Sequence, residues 1–482
     1  MASDDGQSTL ASLFDTFPPE VIADIFWHSL PVWSLETPCP LSDGPNNEFS
    51  VFDIGAVCQS WRKLAWSAPI LWSAVRVCVD VDRAAMQTIL LDQWLSRSGS
   101  LPLDVCLTLS KDVPTWTPGS EPDSAVVQLV AVAGKYANRW RSFVYEIPRL
   151  FHKALPPRHT PLPLLRFLKI DPLYNDSRRQ NPIFLQAPLQ YIALNGIHIE
   201  WLQVSFDKVM ELRLSEFYLD ECLFVLSQCL MVAHIVLEDV TFDYSEDPFK
   251  FDYSKLPIHL PSLRCLELRG RIKPLDIVTE NLIELTYSGL NSHGIPLLCS
   301  LLPPILNLHR VCLLDCDVEP PEMLGVLEEL QTVRSFEISA YHSRYVVHQV
   351  LDEDLVGRLR RSLEKSVLLL PNMEEFVYRG PRSFTWDSLI TAWKEVALGY
   401  EEGSVESVVV QRLRWDLTFT LPGRDIPQNG SQRRRELDRL QIQSNGRLTL
   451  RFPDQENYAP SKILPTTEPD VLPALPFNED SD

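Results

Sequence analysis

The chain of 482 residues is too long for one compact core, so we expect several domains or an elongated repeat fold. Apolar residues make up 45% and charged residues 22% of the sequence, as in ordinary folded proteins. The formal net charge of -20 disfavours contact with a phosphate backbone, and no run of about 18 uninterrupted apolar residues appears. We therefore expect neither a nucleic-acid partner nor a membrane partner.

The N-terminal sequence, MASDDGQSTL, is acidic and polar and lacks the basic start and apolar stretch of a secretory signal. We therefore expect a cytoplasmic or nuclear location, or both, and interpret residues 1–9 as a flexible N-terminus. The ten cysteines show no paired spacing. In a reducing compartment we expect them to behave as small buried hydrophobes.

Residues 10–75 are predicted to form a helical, aromatic module. Pro18 and Pro19 suit the first turn of a helix, and Glu20 complements the positive end of its dipole. A second helical stretch runs from Ile54 to Trp66, and a short apolar segment follows it. The intervening residues 31–50 are rich in Pro, Asn and Gly and are predicted to be an inserted loop.

This module carries more apolar surface than it can bury by itself. A three-helix unit of this size buries only about 60% of the surface that its unfolded chain exposes. Helices that are apolar around most of their circumference must be buried on two sides. One side can be the core of the module, and the other side needs a partner.

The strings FPPEVIADIF (17–26) and VCQSWRKLAWSAPILW (57–72) resemble the F-box, in an ordered and dense match. The resemblance implies that the module docks on the Skp-family adaptor of a cullin-based SCF ubiquitin ligase. It also implies that the downstream domain captures the protein to be ubiquitinated. A leucine-rich repeat array is a common downstream domain in that family.

The residues that match F-box positions are expected either to contact the adaptor or to fill the core of the module. Which members contact the adaptor and which fill the core stays open at this point. The set is Pro18, Val21, Ile22, Ile25, Phe26, Val57, Trp61, Leu64, Ala65, Leu71 and Trp72.

Residues 76–452 are predicted to form an irregular leucine-rich repeat domain. The pattern apolar-x-x-apolar-x-apolar recurs nine times, and six of the eight steps between first positions fit the roughly 20–29-residue period of such repeats. The longer steps, of 31 and 40 residues, indicate insertions. The motifs are Leu165/Leu168/Ile170, Leu189/Ile192/Leu194, Val209/Leu212/Leu214, Val232/Ile235/Leu237, Leu263/Leu266/Leu268, Leu282/Leu285/Tyr287, Leu308/Val311/Leu313, Val333/Phe336/Ile338 and Met373/Phe376/Tyr378.

Each motif is interpreted as a short strand whose alternate residues point inward, followed by a segment that returns along the other face. Leu219–Leu230 and Pro321–Leu330 have the apolar spacing of return helices. Stacked neighbours can bury a face that one repeat cannot bury alone. The fold class is therefore predicted to be α/β, a three-helix module followed by a solenoid; an ordinary α/β domain with this strand spacing is the alternative.

Catalytic and metal-binding motifs are not evident. The sequence contains no GxxxxGK, GxGxxG, HExxH or GxSxG pattern. His309, Cys312 and Cys316 have a spacing that could suggest zinc, but Cys316 falls where leucine-rich repeats place Asn or Cys, and no second ligand pair lies nearby. We expect no catalytic residue, no metal and no cofactor. Residues 453–482, rich in Pro, Asp and Glu, are predicted to be a disordered tail.

The function predicted from the sequence is substrate recognition in an SCF-type E3 ubiquitin ligase, with an unknown target protein. The alternative is a non-catalytic binding scaffold without a role in ubiquitination. A third hypothesis is an enzyme whose site lies in the insertions 241–257 and 340–370. If the solenoid binds along its strand face, the outward positions there are Arg213, Glu267, Arg269, His309 and Glu337.

Overall fold

The computed structural model describes most of residues 17–340 and several shorter segments after them. The described ranges are 17–30, 50–109, 123–156, 160–171, 187–197, 202–240, 253–270, 277–291, 307–330, 332–340, 374–380, 385–391, 414–419, 432–444 and 448–451, with a few isolated residues between them. Three predicted segments lie outside the described residues. They are the N-terminus 1–9, the loop 31–50 except for residue 50, and the tail 453–482.

Three short helices and a 3-10 helix form the N-terminal module. Ser50 and Asp53 form a capping box at the second helix, where the Asp53 carboxylate accepts a hydrogen bond from the Ser50 N–H at 2.7 Å. Cys58, in an extended conformation, ends this helix and begins the next, so the helical stretch predicted as continuous is divided in two. The elements are α1 (Pro19–Ser29), α2 (Val51–Val57), α3 (Gln59–Ser67) and the 3-10 helix Pro69–Trp72.

The module has a closed apolar core of its own. The Trp72 indole N–H donates a hydrogen bond to the Ala65 carbonyl at 2.8 Å, which ties the 3-10 helix to α3. Burial of each large side chain in such a core contributes about 1.5–3 kcal/mol to folding. The core consists of Ile22, Ala23, Phe26, Val51, Ile54, Ala65, Ala68, Leu71 and Trp72.

Within the described residues, fourteen strands form one parallel sheet in which each strand pairs with the next strand of that sheet along the chain. The connections must therefore return to the same end of the sheet each time, which gives a solenoid-like α/β architecture. The strands are β1 (Ala74–Val79), β2 (Leu103–Leu109), β3 (Trp140–Glu146), β4 (Phe167–Ile170), β5 (Tyr191–Asn195), β6 (Glu211–Ser215), β7 (His234–Glu238), β8 (Cys265–Arg269), β9 (Glu284–Ser288), β10 (Arg310–Cys316), β11 (Ser335–Ala340), β12 (Glu375–Gly380), β13 (Arg414–Phe419) and β14 (Leu448–Arg451). Among the described residues, four further two-residue strands form two separate pairs, Ile183–Phe184 with Leu202–Gln203 and Ile258–His259 with Ile277–Val278.

The register of the sheet stacks apolar residues in rows across the strands. Leu212 lies opposite Ile235, Ile235 opposite Leu266, and Leu266 opposite Leu285, and all four are buried. Because successive side chains of a strand point to opposite faces, the residues between them line the other side of the sheet. We call that other side the open face.

In the described part of the chain, α-helices lie in several connections between strands. Two of them match the predicted return helices to within two residues. In the first of these, Leu219, Cys222 and Leu226 are buried in the same core as the inward strand residues. The helices are α4 (Ala84–Arg97), α5 (Ser124–Lys135), α6 (Leu219–Gln228), α7 (Pro320–Glu329) and α8 (Gln432–Gln443).

Strands β5 to β9 end in a repeated turn. The residue directly after each of these strands has a positive φ and donates its N–H to a carbonyl of the following strand of the sheet. Three are glycines, which adopt this conformation without steric cost, but two are acidic. The residues are Gly196 (φ 54°), Glu216 (φ 57°), Asp239 (φ 50°), Gly270 (φ 75°) and Gly289 (φ 79°).

The module and the first repeat share an aromatic cluster. The ring centroid of Trp94 on α4 lies 4.7 Å from that of Trp72 and 5.6 Å from that of Phe52. The Trp94 indole N–H donates to the Ala74 carbonyl on β1 at 3.2 Å, and the Arg97 guanidinium lies 4.8 Å from the centre of a Trp72 ring. The module is thus packed directly onto the start of the sheet.

The nine sequence motifs coincide with strands β4 to β12, and each described apolar residue in them is buried. Met373, in the last motif, lies outside the described residues. The motif search missed β1 to β3, β13 and β14. In β1 and β3 the first motif position is held by Trp72 and Trp140, and in β2 by Pro102. In β13 and β14 that position is polar.

Candidate functional site

The structure divides the residues implied by the F-box resemblance into three groups by exposure. Ile22, Phe26, Ala65, Leu71 and Trp72 are buried in the module core. Trp61 and Leu64 are half-buried and pack against that core. The exposed residues are Pro18, Val21, Ile25 and Val57.

Exposed apolar side chains of the module are the first set of candidate contact residues. Val21 and Ile25 lie one turn apart on the same face of α1, with exposed fractions of 41% and 46%. Phe17, directly before the helix, is 44% exposed, and Val57 at the end of α2 is 58% exposed. We call these four residues the apolar surface of the module.

Trp61 has a structural role that its position in the sequence does not reveal. Its ring centroid lies 4.7 Å from that of Phe26, so it supports the packing of α1 against α3. Phe52 and Trp66 are also exposed, although the family resemblance did not single them out. Their rings belong to the aromatic cluster with Trp72 and Trp94.

Cys58 lies beside the apolar surface and is exposed, as is Cys78 on β1. The prediction that the cysteines are buried is therefore wrong for these two residues. The Cys58 sulfur lies 3.0 Å from the Ser60 hydroxyl and accepts the Trp61 N–H at 3.5 Å. These hydrogen bonds lower the pKa of the Cys58 thiol, the Ser60 contact having the larger effect. By contrast, burial raises the pKa of Cys229 to about 12.

The open face of the sheet is the second candidate site. Arg213, Glu267, Arg269 and Glu337 lie on it, as predicted, at positions that alternate with the buried residues. His309 does not lie on a strand. It is exposed just before β10, and Arg310 occupies the outward strand position.

Ion pairs on the open face join side chains of neighbouring strands and side chains within one strand. His234 lies 3.2 Å from a Glu267 oxygen and Arg269 lies 2.8 Å from the other. The hydrogen bond from His234, then that from Arg269, holds the pKa of Glu267 at about 2, below its ordinary 4.5. Further pairs join Lys169 to Glu146 at 2.6 Å, Arg213 to Glu211 at 3.1 Å, Arg310 to Glu284 at 3.1 Å and Arg379 to Glu337 at 2.6 Å.

A recess of about 260 Å³ lies at the carboxyl edge of the open face, where strands β4 to β8 end. The Tyr191 ring forms part of its wall and stacks on Phe167, with 4.0 Å between the ring centroids. The lining is otherwise mostly charged or polar. It includes Lys169, Asp171, Asn195, Arg213, Ser215, Glu216, Glu238, Asp239 and Arg269.

The side chains of His309, Cys312 and Cys316, whose spacing could suggest zinc, do not come together in a metal site. Cys316 is fully buried in the solenoid core, Cys312 lies on the open face between its buried neighbours, and His309 is exposed. Among the described residues, no group of three or more His, Cys, Asp or Glu side chains is arranged to hold a metal ion. No helix in the described part of the chain is long and apolar enough to cross a membrane.

Compared with known proteins, the chain matches no family model and no curated protein. Among solved structures it is similar to a chain in the crystal structure of the TLR13–ssRNA13 complex, with 13% sequence identity and a TM-score of 0.33. The matched region covers 66% of this chain and 38% of that chain. We therefore argue function from the two surfaces of this chain.

Proposed function

We propose that this chain is a substrate-recognition subunit of an SCF-type E3 ubiquitin ligase. In this proposal the N-terminal module is an F-box that docks on a Skp-family adaptor, which links it to the cullin. The sheet is a leucine-rich repeat solenoid whose open face binds the target protein. The chain contributes no catalytic residue and no cofactor, because the other subunits carry out the ubiquitin transfer.

The apolar surface of the module is the observation that carries the proposal. The module already has a closed core, so Phe17, Val21, Ile25 and Val57 are not needed to complete it. An exposed apolar face on a small helical unit marks a contact with another protein. The resemblance of residues 17–26 and 57–72 to the F-box supports a Skp-family adaptor as that partner.

The apolar surface of the module accounts for part of the free energy of a docking contact. Full burial of a large apolar side chain contributes about 1.5–3 kcal/mol, and each of these four residues is about half exposed. The apolar surface alone therefore supplies on the order of 3–6 kcal/mol, a part of what a stable complex requires. Polar contacts and the half-buried Trp61 would have to supply the rest of the binding free energy.

The repeat half of the proposal is supported by the order of the strands. Each strand from β1 to β14 pairs with its neighbour in the sequence, as expected when stacked repeats bury a common core. The nine motifs recur at steps that match leucine-rich repeats, apart from two insertions. The open face then presents side chains that the core does not use.

The docking half can be tested by co-purification of the full-length tagged chain. We expect Ile25→Asp, with or without Val21→Asp, to lose the Skp-family adaptor and the cullin, because a charge replaces an apolar contact. Ile442→Asp is the matched control, since Ile442 is 78% exposed on α8, far along the chain. Unchanged adaptor recovery in Ile25→Asp, with unchanged circular dichroism, would contradict the proposal.

The fate of the bound target distinguishes the ligase proposal from the scaffold alternative. A degradation receptor should let its target accumulate when the chain is deleted, whereas a scaffold should not. The target can be recovered by crosslinking and affinity purification, and its abundance then measured in deleted and restored cells. Adaptor recovery without any change in target abundance would favour the scaffold.

A further inference from the structure

The first connecting helix, α4, exposes a group of aliphatic side chains to solvent. Met86, Ile89 and Leu90 are each more than half exposed. Their spacing of three and four residues places them side by side on one face of the helix. Leu91 and Leu95 of the same helix are buried in the solenoid core instead. Helix α4 therefore carries two apolar faces, and the solenoid core uses one of them.

The other connecting helices do not share this second apolar face. On α5, α6 and α7 no described large apolar side chain is exposed, and on α8 the one that is exposed is Ile442. The exposed positions described on α7 hold Pro321, Gly325, Glu328 and Glu329. A helical face that meets only solvent is ordinarily polar. Contact with water alone therefore does not account for the aliphatic face of α4.

This face of α4 continues onto the N-terminal module through an aromatic contact. Trp94 lies one turn after Leu90, and its ring centroid is 5.6 Å from that of Phe52 on α2. Phe52 is itself more than half exposed. The exposed apolar side chains of the two helices thus adjoin each other. We call Phe52, Met86, Ile89 and Leu90 the junction strip.

The junction strip also reaches the apolar surface of the module. Val57, which belongs to that surface, lies on α2 together with Phe52, and Ala56 between them is exposed as well. Ala56 is one turn after Phe52, and a rise of 1.5 Å per residue separates Phe52 from Val57 by about 8 Å along the helix. A protein that covers Val57 can therefore cover Phe52.

The size of the junction strip decides between two possible occupants. Four side chains that are about half exposed present no more than a few hundred Å² of apolar surface. A stable interface takes about 800 Å² from each partner, so the strip alone is too small to hold a second copy of this chain. Joined to the four exposed residues of the apolar surface of the module, it approaches that size.

We propose that the junction strip is a second contact for the same adaptor, so that the docking surface extends from the module onto α4. The inference rests on the proposed function, since it takes the Skp-family adaptor as the occupant. The four side chains of the strip carry no charge and no hydrogen-bond donor. The part of the adaptor that covers the strip is therefore apolar as well.

The test is a titration of the purified full-length chain with a purified Skp-family adaptor. Ile89→Asp should weaken binding at least about tenfold, because it places a charge in an apolar contact. Ile89→Leu keeps an apolar side chain and should bind within about twofold of the parent chain. Ile442→Asp is the matched control, since it makes the same change at an exposed isoleucine of α8, and it should also stay within about twofold. Unchanged binding by Ile89→Asp, or equal weakening by Ile89→Asp and Ile442→Asp, would overturn the inference.

Other occupants of the junction strip give different results without the adaptor. We expect the parent chain to sediment as a monomer and Ile89→Asp to keep the thermal midpoint of the parent. A dimer that Ile89→Asp dissociates would mean that a second copy covers the strip. A lowered midpoint in Ile89→Asp would mean that the strip packs within the chain itself. Either result would overturn the inference.

The two proposals fail separately when Ile25→Asp is titrated in parallel. A parent chain that binds no adaptor would overturn the proposed function and the extension together. Weak binding by Ile25→Asp with full binding by Ile89→Asp would overturn only the extension onto α4. Full binding by Ile25→Asp with weak binding by Ile89→Asp would overturn only docking through the module. Weak binding by both variants, with full binding by Ile442→Asp, would support both proposals.

Discussion

The carboxylate of Glu267 is held by one side chain on the neighbouring strand and one on its own strand, His234 at 3.2 Å and Arg269 at 2.8 Å. Its pKa of about 2 lies below the ordinary value of 4.5, so the folded state favours the ionised form. The side chain is 27% exposed, and we expect a stabilisation on the order of 2 kcal/mol after allowance for solvent screening. This contribution is complete above pH 4.5 and is lost as the pH falls towards 2.

Glu267→Gln should therefore lower the free energy of unfolding by about 1–3 kcal/mol at pH 7. The difference from the parent chain should shrink as the pH is lowered from 5 to 3. Urea denaturation at several pH values measures it, with Glu329→Gln on α7 as the control that removes an exposed carboxylate. A difference that stays constant across this range would contradict the assignment to Glu267.

The sequence could not decide which apolar residues of the module are exposed and which are buried. Val21 and Ile22 are adjacent and both apolar, yet Val21 is exposed and Ile22 is buried. The helix period identifies two apolar faces of α1 but does not say which one meets α3. That choice depends on contacts such as Phe26 with Trp61, which join segments separated by the inserted loop.

At the scale of elements, the repeated left-handed turn after β5 to β9 is the most regular feature beyond the strands. Glycine adopts this backbone freely, while a residue with a side chain is strained there by about 1 kcal/mol. Glu216 and Asp239 carry that strain, and both line the recess. At Gly270 an added side-chain carbon would collide with the Asp239 carboxylate.

Gly270→Ala should destabilise the chain by about 1–3 kcal/mol, because it combines left-handed strain with this collision. Glu216→Gly should be neutral or raise the free energy of unfolding by up to about 1 kcal/mol, because it relieves the strain. Thermal and urea denaturation of both variants measure these effects. Gly325→Ala on α7, where nothing lies within 4 Å of the added carbon, is the control. Equal stability of Gly270→Ala and the parent chain would show that the turn is not strained.

The strands were predictable wherever their first inward position is aliphatic. The apolar triads marked β4 to β12, because alternate burial imposes the same spacing in each of these strands. At β1 and β3 the equivalent position is Trp72 and Trp140, and Trp72 belongs to the module core rather than to the solenoid core. A search that allows aromatic residues there would have found both strands. The polar first positions before β13 and β14 offer no such signal.

At the scale of the whole molecule, the aromatic cluster joins the two candidate surfaces into one body. Trp94 contacts Trp72 and Phe52 from the module and donates to the β1 backbone. These contacts pack the module against the first strand of the sheet that carries the open face. In the proposed ligase, that geometry sets where the bound target lies relative to the adaptor.

Trp94→Ala should destabilise the junction by about 2–4 kcal/mol, since a large partly buried ring is removed. Hydrogen exchange should then become faster in α2 and α3 than in strands β10 to β12, which lie far from the junction. Met86→Ala, an exposed substitution on the same helix, is the control and should leave both regions unchanged. Equal acceleration in all regions would contradict a local role for Trp94.

The predicted solenoid implies that each strand pairs with the next one, although the spacing of the motifs alone also fits an ordinary α/β domain. Parallel strands can be arranged in many orders when their connections are 20 or more residues long. In the described fourteen-stranded sheet each strand pairs with the next strand of the sheet, from Val75 opposite Val105 to Leu417 opposite Leu450. That neighbour-to-neighbour order defines the elongated architecture.

The neighbour-to-neighbour order also has a consequence for biosynthesis. Each strand after β1 forms the hydrogen bonds of one edge with the strand before it. Those hydrogen bonds can form before any later part of the chain has been made. The growing polypeptide can therefore assemble from the N-terminus as it leaves the ribosome, beginning with the helical module and β1. Each newly synthesised strand can therefore pair with a preceding strand that has already folded.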